Sequence, residues 1–189
     1  MQDYRVFVLL YVVFALFLNE SYGAEDQVEC NDPNSFRVLE RCCNNIPDEE
    51  LLTEEDKAAG LMCDQTVFGN RTAPLTNEER LELYECMDEC FYKATQLLTA
   101  DMKLNETALI AEYDTPLENF PQWKEPMAKA VKTCIEKNVV LDVKPEAKCK
   151  SGAYQFSNCF GVNLYLNCPP ENRKMDDECT KAREILEKC

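Results

Sequence analysis

The chain has 189 residues, a formal net charge of −15, no histidine and 12 cysteines. A surface this acidic repels nucleic acid and anionic membranes, because proteins bind both through basic patches. The absence of histidine excludes Ser-His-Asp and Cys-His catalytic arrangements, and an even number of cysteines indicates disulfides. We therefore predict that the protein is not an enzyme, needs no cofactor, and has neither a nucleic-acid partner nor a stably inserted membrane segment.

The N-terminal 23 residues have the features of a secretory signal peptide. Arg5 precedes a nearly unbroken apolar run over residues 6–18, and Ser21 and Gly23 supply the small residues that signal peptidase recognises. The run is shorter than the roughly 20 apolar residues of a membrane-spanning helix, so an uncleaved anchor is the less favoured alternative. We expect residues 24–189 to form one secreted, extracellular domain, in a compartment where disulfides persist.

Apolar periodicity and helix-end signals predict an all-α fold. Thr76 and Glu79 form a capping box that opens the longest helix. Asn105 can cap a short helix, and Pro121 suits the first turn of another. Residues 139–143 alternate too briefly to build a sheet. The longest helix carries along one side Leu81, Tyr84, Met87 or Asp88, and Phe91. Predicted helices cover residues 47–60, 77–98, 121–138, 151–167 and 176–189, with the short one around Leu109 and Ile110.

Helix geometry restricts how the cysteines can pair. Cys159 and Cys168 are nine residues apart, so in one helix their α-carbons lie about 13.5 Å apart, beyond the roughly 7 Å that a disulfide allows. Cys86 and Cys90 lie one turn apart on the same helix face, so both can bond to other segments. Each bridge between segments contributes about 2–4 kcal/mol by constraining the unfolded chain.

Two further pairings are excluded. Cys179 and Cys189 would lie about 15 Å apart in a helix. A bond between the adjacent Cys42 and Cys43 would strain the peptide that joins them. These four cysteines therefore bond elsewhere.

Metal binding and carboxylate catalysis are the competing uses of these residues. Zinc sites favour closely spaced cysteine pairs completed by histidine, and only Cys86 and Cys90 have such a spacing, so we predict no metal. Paired carboxylates could act as acid and base in a hydrolase if two of them converged in a cleft. The acidic groups are Glu49-Glu50, Glu54-Glu55-Asp56 and Asp176-Asp177. All lie in heavily charged stretches, which favours solvated helix surface.

The cysteine spacing resembles that of insect odorant-binding proteins (PBP/GOBP-like). Three residues separate Cys86 from Cys90, eight separate Cys159 from Cys168, and Pro169 follows directly. The six core positions are taken as Cys63, Cys86, Cys90, Cys134, Cys159 and Cys168. The additional cysteines, which resemble the Plus-C subgroup, are Cys30, Cys42, Cys43, Cys149, Cys179 and Cys189. The resemblance implies the pairs Cys63–Cys90, Cys86–Cys159 and Cys134–Cys168, and leaves the pairing of the additional cysteines open.

The resemblance also implies a disulfide-stapled bundle of about six to eight helices around an apolar cavity. Twelve side chains are the candidate lining: Phe91, Leu98, Leu109, Ile110, Phe120, Trp123, Met127, Val131, Phe156, Phe160, Leu164 and Tyr165. Plain core packing is the competing interpretation for each of them, because protein interiors are closely packed by default. Tyr154 and Tyr165 are candidates for the few polar groups of such a site.

Together these observations predict a secreted carrier of small apolar molecules such as odorants, pheromones or lipid-like ligands. The alternative is a secreted, disulfide-rich module that binds a protein partner through an exposed apolar patch. An odorant receptor and a second copy of the chain are further candidate partners. Because histidine is the residue that normally titrates near neutrality, we expect a flat affinity between about pH 7.5 and 6.

Overall fold

The computed structural model describes residues 41–44, 46–47, 52–69, 75–114 and 116–188. This part of the chain forms six α-helices, and its described ranges contain no strand, which confirms the predicted all-α class. The helices are α1 (Glu54–Val67), α2 (Asn77–Ala94), α3 (Glu106–Asp114), α4 (Pro121–Glu136), α5 (Ala153–Leu166) and α6 (Asp177–Leu186). Short 3-10 turns lie at Pro116–Asn119, Val139–Asp142 and Pro170–Asn172. The predicted signal peptide lies outside the described residues.

Side chains at the N-termini stabilise several of these helices. Thr76 and Glu79 form the predicted capping box of α2, in which the Glu79 amide donates to Thr76 Oγ1 at 3.2 Å and the Thr76 amide donates to Glu79 Oε2 at 2.9 Å. Asn105 caps α3 as predicted, since its Oδ1 accepts from the amide of Ala108 at 3.2 Å. Thr53 caps α1 in a second capping box. Each such cap contributes about 1 kcal/mol.

One predicted helix start and two predicted helix ends were wrong. Helix α1 begins at Glu54 rather than at residue 47, because Thr53 caps its N-terminus. The first helix does not end at Gly60, which is buried inside α1, but continues to Val67 before Gly69 takes a left-handed conformation with φ of 56°. The long helix ends at Ala94 rather than near residue 98, because Gln96 adopts a left-handed φ of 63°. Local composition predicted both ends poorly because packing between helices overrides weak propensities.

Helix α5 is central to the bundle. It packs against α4 on one side and α2 on another, and it also contacts the Val139–Asp142 turn and α6. Helix α1 packs against α2, and α3 packs against α4. The interior is therefore built mainly where α5 faces α4 on one side and α2 on another.

Five disulfides join separate segments within the described residues. They are Cys42–Cys179, Cys43–Cys168, Cys63–Cys90, Cys86–Cys149 and Cys134–Cys159. The geometric exclusions hold, because none of the excluded pairs bonds internally and both cysteines on the face of α2 bond outward. The implied pair Cys63–Cys90 is confirmed. Cys30 and Cys189 lie outside the described residues.

The other two implied pairs are wrong. The resemblance implied Cys86–Cys159 and Cys134–Cys168, but the structure joins Cys86 to Cys149 and Cys134 to Cys159, with α-carbons 5.1 and 5.8 Å apart. The segment before α5 brings Cys149 to α2, while α5 faces α4 and presents Cys159 to Cys134. The resemblance implies that the first core cysteine bonds the third, the second bonds the fifth and the fourth bonds the sixth. This order is kept if the fifth and sixth core positions are Cys149 and Cys159 rather than Cys159 and Cys168.

Candidate ligand-binding site

The predicted lining residues fall into two buried groups. The central cluster contains Phe91, Leu98, Leu109, Val131 and Phe156. The C-terminal cluster contains Trp123, Met127, Leu164 and Tyr165, with Phe120 half-buried at its edge. Phe160 on α5 packs against both clusters. Ile110 lies apart from them, because 58% of its surface is exposed on the outer side of α3.

Aromatic rings of α2 and α5 form the middle of the central cluster. Tyr92 meets Phe156 edge to face, with ring centroids 6.2 Å apart, and Phe91 meets Tyr92 in the same manner at 6.2 Å. Phe156 is nearly parallel to Phe160 at 6.3 Å. Such offset and edge-to-face pairs are the favoured arrangements of aromatic side chains. The seam between α2 and α5 is thus an aromatic surface of the kind that lines apolar ligand sites.

A short polar chain interrupts this aromatic seam. The Tyr92 hydroxyl lies 3.0 Å from Ser157 Oγ, which joins α2 to α5. Ser157 in turn hydrogen-bonds the carboxyl of Asp88, one turn before Tyr92 on α2. Burial raises the pKa of Asp88 to about 7, and the hydrogen bond from Ser157 offsets only part of this rise. The sequence left Met87 and Asp88 as alternatives for the apolar side of the helix, and in the structure both face inward.

The hydroxyl of Tyr154 lies beside this chain at the start of α5. Its side chain is 7% exposed, and no group forms a well-aligned hydrogen bond with the hydroxyl. Asn158 is close enough to lower the pKa of Tyr154 in part, but burial dominates and raises it, and Asp88 raises it further. Tyr154 was one of the two predicted polar groups.

Tyr165, the other predicted polar group, has a structural role. Its hydroxyl donates to the backbone carbonyl of Cys179 at 2.7 Å, and the side chain is buried between α5 and α6. The C-terminal cluster is closed by the disulfides of Cys42 and Cys43. The Tyr165 hydroxyl is therefore engaged in packing α6, whereas Trp123 Nε1 in the same cluster is buried without a hydrogen-bond partner.

An open groove on the outside of the bundle lies between α1, α2 and the segment before α5. Its volume is about 750 Å³. None of the predicted lining residues borders it. The groove is lined by Met62, Thr66, Val67, Leu83, Cys86, Glu89, Cys90, Lys93, Ala94, Met102, Lys148 and Cys149. The sequence did not indicate it, because these residues meet only after α1 has packed on α2 and the disulfide of Cys86 has formed.

Among the described residues, the acidic groups considered for catalysis do not converge in one cleft. Asp56 is used in capping α1, and Asp176 caps α6. Glu54 and Glu55 are exposed in the first turn of α1, and Glu49-Glu50 lies outside the described residues. Within the described ranges, no group of three or more cysteine or acidic side chains could hold a metal ion. None of the described helices is both long and apolar enough to cross a membrane.

Comparisons with known proteins agree with the resemblance drawn from the cysteine spacing. Residues 69–163, half of the chain, match the PBP/GOBP family. General odorant-binding protein 67 of Anopheles gambiae is 24% identical over 191 aligned residues, which cover 96% of this chain and 88% of that protein. No solved structure matches the chain significantly. The disulfides beyond the core fit the Plus-C subgroup. With its helical bundle and interlocked core disulfides, the chain belongs to the PBP/GOBP family of insect odorant-binding proteins.

Proposed function

We propose that the protein is a secreted carrier that binds small apolar molecules, such as odorants, pheromones or lipid-like ligands, and transports them in extracellular fluid. Family membership and the name of the mosquito relative support an odorant ligand. The observation that carries the proposal is the seam between α2 and α5. There Tyr92 packs on Phe156, and its hydroxyl is linked through Ser157 to the Asp88 carboxyl, whose titration no basic side chain among the described residues influences. A closed core gains no stability from such a group, because burying an uncompensated polar group costs free energy.

The size of the apolar surface is sufficient for useful affinity. A buried methylene contributes about 0.8 kcal/mol, so a ten-carbon ligand gains roughly 8 kcal/mol before the costs of association are deducted. Micromolar binding corresponds to about −8 kcal/mol. Because the costs of association are still to be deducted, we expect affinities weaker than micromolar for ligands of about ten carbons. Micromolar affinity is expected for ligands of up to about sixteen carbons, or for those that also satisfy a buried polar group.

A protein partner is the second candidate function, and one surface feature favours it. Leu61 and Met62 on α1 are 58% and 50% exposed, and Met62 also borders the open groove. Adjacent exposed apolar side chains beside a groove are typical of interaction surfaces. A carrier that delivers its ligand to a receptor could use both sites.

The proposed function is tested by displacement of a fluorescent apolar probe from the oxidised protein. The competitors are alcohols, ketones, esters, fatty acids and alkanes of eight to sixteen carbons. We expect concentration-dependent displacement by several of them at about micromolar concentrations. If none of them displaces the probe from protein whose disulfides are intact, the carrier function is rejected and the surface around Leu61 becomes the leading candidate.

A further inference from the structure

We propose that the open groove between α1, α2 and the segment before α5 is a second ligand site, which binds an amphiphile with an apolar chain and an anionic head, such as a fatty acid. The chain lies along the side of α2 that borders the groove, and Lys93 and Lys148 bind the carboxylate. The site is separate from the seam between α2 and α5. Its ligand class is a narrower form of the lipid-like ligands of the proposed carrier function, on which the proposal rests.

The walls of the groove are held in place by two disulfides. Cys63–Cys90 joins α1 to α2, and Cys86–Cys149 joins the segment before α5 to α2. Cys86, Cys90 and Cys149 all border the groove. Its volume of about 750 Å³ falls within the roughly 300–1,000 Å³ of small-molecule sites, which are largely pre-formed. The concave surface therefore exists before a ligand binds, which lowers the ordering cost of binding.

One wall of the groove is an apolar stripe on α2. Leu83, Cys86, Cys90 and Ala94 border the groove at spacings of three or four residues, which places them on one face of the helix. The stripe from Leu83 to Ala94 extends about 16 Å along the helix axis. An alkyl chain along it would cover this stripe and the exposed Met62 of α1, whose flexible side chain adapts to a ligand. An elongated occupant therefore matches the groove better than a compact one.

The charged side chains around the groove have the opposite balance to the protein as a whole. The chain has a net charge of −15, yet the lining contains two lysines, Lys93 and Lys148, and one acid, Glu89. The Glu89 carboxylate already accepts a hydrogen bond from the backbone amide of Ser151 at 2.8 Å. The groove therefore has a local excess of positive charge, which favours an anionic head group over a cationic one.

Both lysines are available to a ligand. Within the described ranges, no carboxylate forms an ion pair with Lys93. Lys148 Nζ lies 3.7 Å from Glu82 Oε1, but both side chains are at least half exposed, and such pairs contribute little to stability. A carboxylate that enters the groove can pair with Lys93 and replace Glu82 at Lys148.

Two fluorescent probes separate the groove from the interior of the bundle. Dansylaminoundecanoic acid, an anionic amphiphile, is the probe for the groove. N-phenylnaphthylamine, an uncharged aromatic molecule, is the probe for the carrier function in the interior. The competitors are dodecanoate, dodecanol and dodecylamine, which share one chain length and at pH 7.5 carry an anionic, a neutral and a cationic head.

The variants test the head group and the chain separately. Lys93→Glu and Lys148→Glu are combined in one protein, and Lys129→Glu makes the same change at an exposed lysine of α4 that does not border the groove. Ala94→Trp fills the groove from an exposed position, and Ala128→Trp is the matched change at an exposed alanine of α4. Circular dichroism checks the fold of each variant. The salt dependence of wild-type binding is a further test that needs no variant.

For the wild type, we expect dodecanoate to displace the anionic probe at lower concentration than dodecanol, and dodecylamine to be the weakest competitor. The combined lysine variant should weaken dodecanoate about tenfold or more, because attraction is replaced by repulsion, and should change dodecanol less than twofold. Raising the salt concentration to about 0.5 M should reduce the advantage of dodecanoate over dodecanol, because exposed charges are screened.

Filling the groove should affect every ligand that binds there. Ala94→Trp should weaken dodecanoate and the anionic probe about fivefold or more and leave the affinity for N-phenylnaphthylamine unchanged. Lys129→Glu and Ala128→Trp should both stay within about twofold of the wild type, since an exposed ion pair changes affinity by no more than about fivefold even in direct contact.

Three results would overturn the groove site. They are dodecanoate affinity that the combined lysine variant leaves unchanged, dodecanoate affinity that Ala94→Trp leaves unchanged, and dodecylamine binding that is stronger than dodecanoate binding. If N-phenylnaphthylamine still binds, each of these results leaves the carrier function intact and leaves the groove to a protein partner. Failure of both probes to bind the oxidised wild type rejects the carrier function itself.

Discussion

Gly152 lies directly against Val140, and a β-carbon added to the glycine would be 2.7 Å from Val140 Cγ2 and 3.2 Å from Val140 Cα. Gly152 also has a left-handed φ of 80° and precedes the first residue of α5. Its neighbour Ser151 donates its backbone amide to Glu89 of α2 at 2.8 Å. The close approach therefore fixes the start of the central helix between the Val139–Asp142 turn and α2.

Gly152→Ala should destabilise the protein by more than about 2 kcal/mol. The left-handed conformation alone costs an alanine roughly 1–2 kcal/mol, and the contact with Val140 adds to it. Gly69→Ala is the matched control, because Gly69 also has a positive φ of 56° but its nearest neighbour is Gln65 O at 3.6 Å. Urea unfolding followed by circular dichroism measures both. Equal losses for the two variants would contradict the close approach at Gly152.

The disulfide of Cys86 provides a second prediction. Non-reducing digestion and mass spectrometry should recover Cys86 linked to Cys149 and Cys134 linked to Cys159, as in the structure. Replacing Cys86 and Cys149 together by serine should cost about 2–4 kcal/mol, because a loop of 63 residues is no longer closed in the unfolded chain. Recovery of a peptide linking Cys86 to Cys159 would show that the helix packing around α5 is different.

The cysteines also show what the sequence can and cannot predict. Helix rise is a local property, so the exclusion of Cys159–Cys168 needed nothing but the distance along one helix. Choosing the partner of Cys86 required knowing that the segment before α5 crosses α2, which is set by packing far along the chain. The eight-residue spacing between Cys159 and Cys168 matched the family pattern, so these two were taken as the fifth and sixth core cysteines. In the structure, Cys149 and Cys159, which are separated by nine residues, take those positions because they bond Cys86 and Cys134.

The same distinction holds for the site. Apolar periodicity placed Phe91 and Phe156 in the interior, because each lies on the buried stripe of a long helix. The short helix α3 has too few turns for apolar periodicity to define its inward face. The sequence therefore placed both Leu109 and Ile110 in the lining, whereas in the structure Leu109 is buried and the adjacent Ile110 is exposed. Asp88 could be recognised only as an alternative to Met87, since the sequence does not show that α5 covers both.

Trp123 should be a major contributor to stability. Its side chain is fully buried in the C-terminal cluster, with 0% exposure. Trp123→Ala removes a large aromatic side chain and should cost about 3–5 kcal/mol. Ile110→Ala is the control, because a surface residue of α3 should change the free energy of unfolding by less than about 0.5 kcal/mol. Circular dichroism is the measurement of choice, since Trp123 is the chain's one tryptophan and its replacement removes the fluorescence signal. A loss below about 1 kcal/mol at Trp123 would mean that the C-terminal cluster is loosely packed.

Because burial raises the pKa of Asp88, we expect the stability of the protein to depend on pH, and this can be measured without any ligand. The pKa of Asp88 is raised from 3.8 to about 7 by burial, so the folded protein binds a proton that the unfolded chain has already released between these values. Stability contributed by the neutral acid is therefore lost as the pH rises from about 4 to about 7. Asp88→Asn cannot ionise and should gain stability relative to the wild type over this range.

Urea unfolding of both proteins at pH 5 and pH 8 measures this difference. We expect the advantage of Asp88→Asn to grow by about 1–3 kcal/mol between the two conditions, since one pKa unit corresponds to about 1.4 kcal/mol and solvent near the half-buried group reduces the full value. Burial also raises the pKa of Glu85 and Glu112, but these groups are the same in both proteins and cancel in the comparison. Glu78→Gln, which removes an exposed carboxylate from the same helix, should stay within about 0.5 kcal/mol of the wild type at both pH values. Stability curves of Asp88→Asn and wild type that run parallel from pH 5 to 8 would show that Asp88 is ionised and solvated in the folded protein.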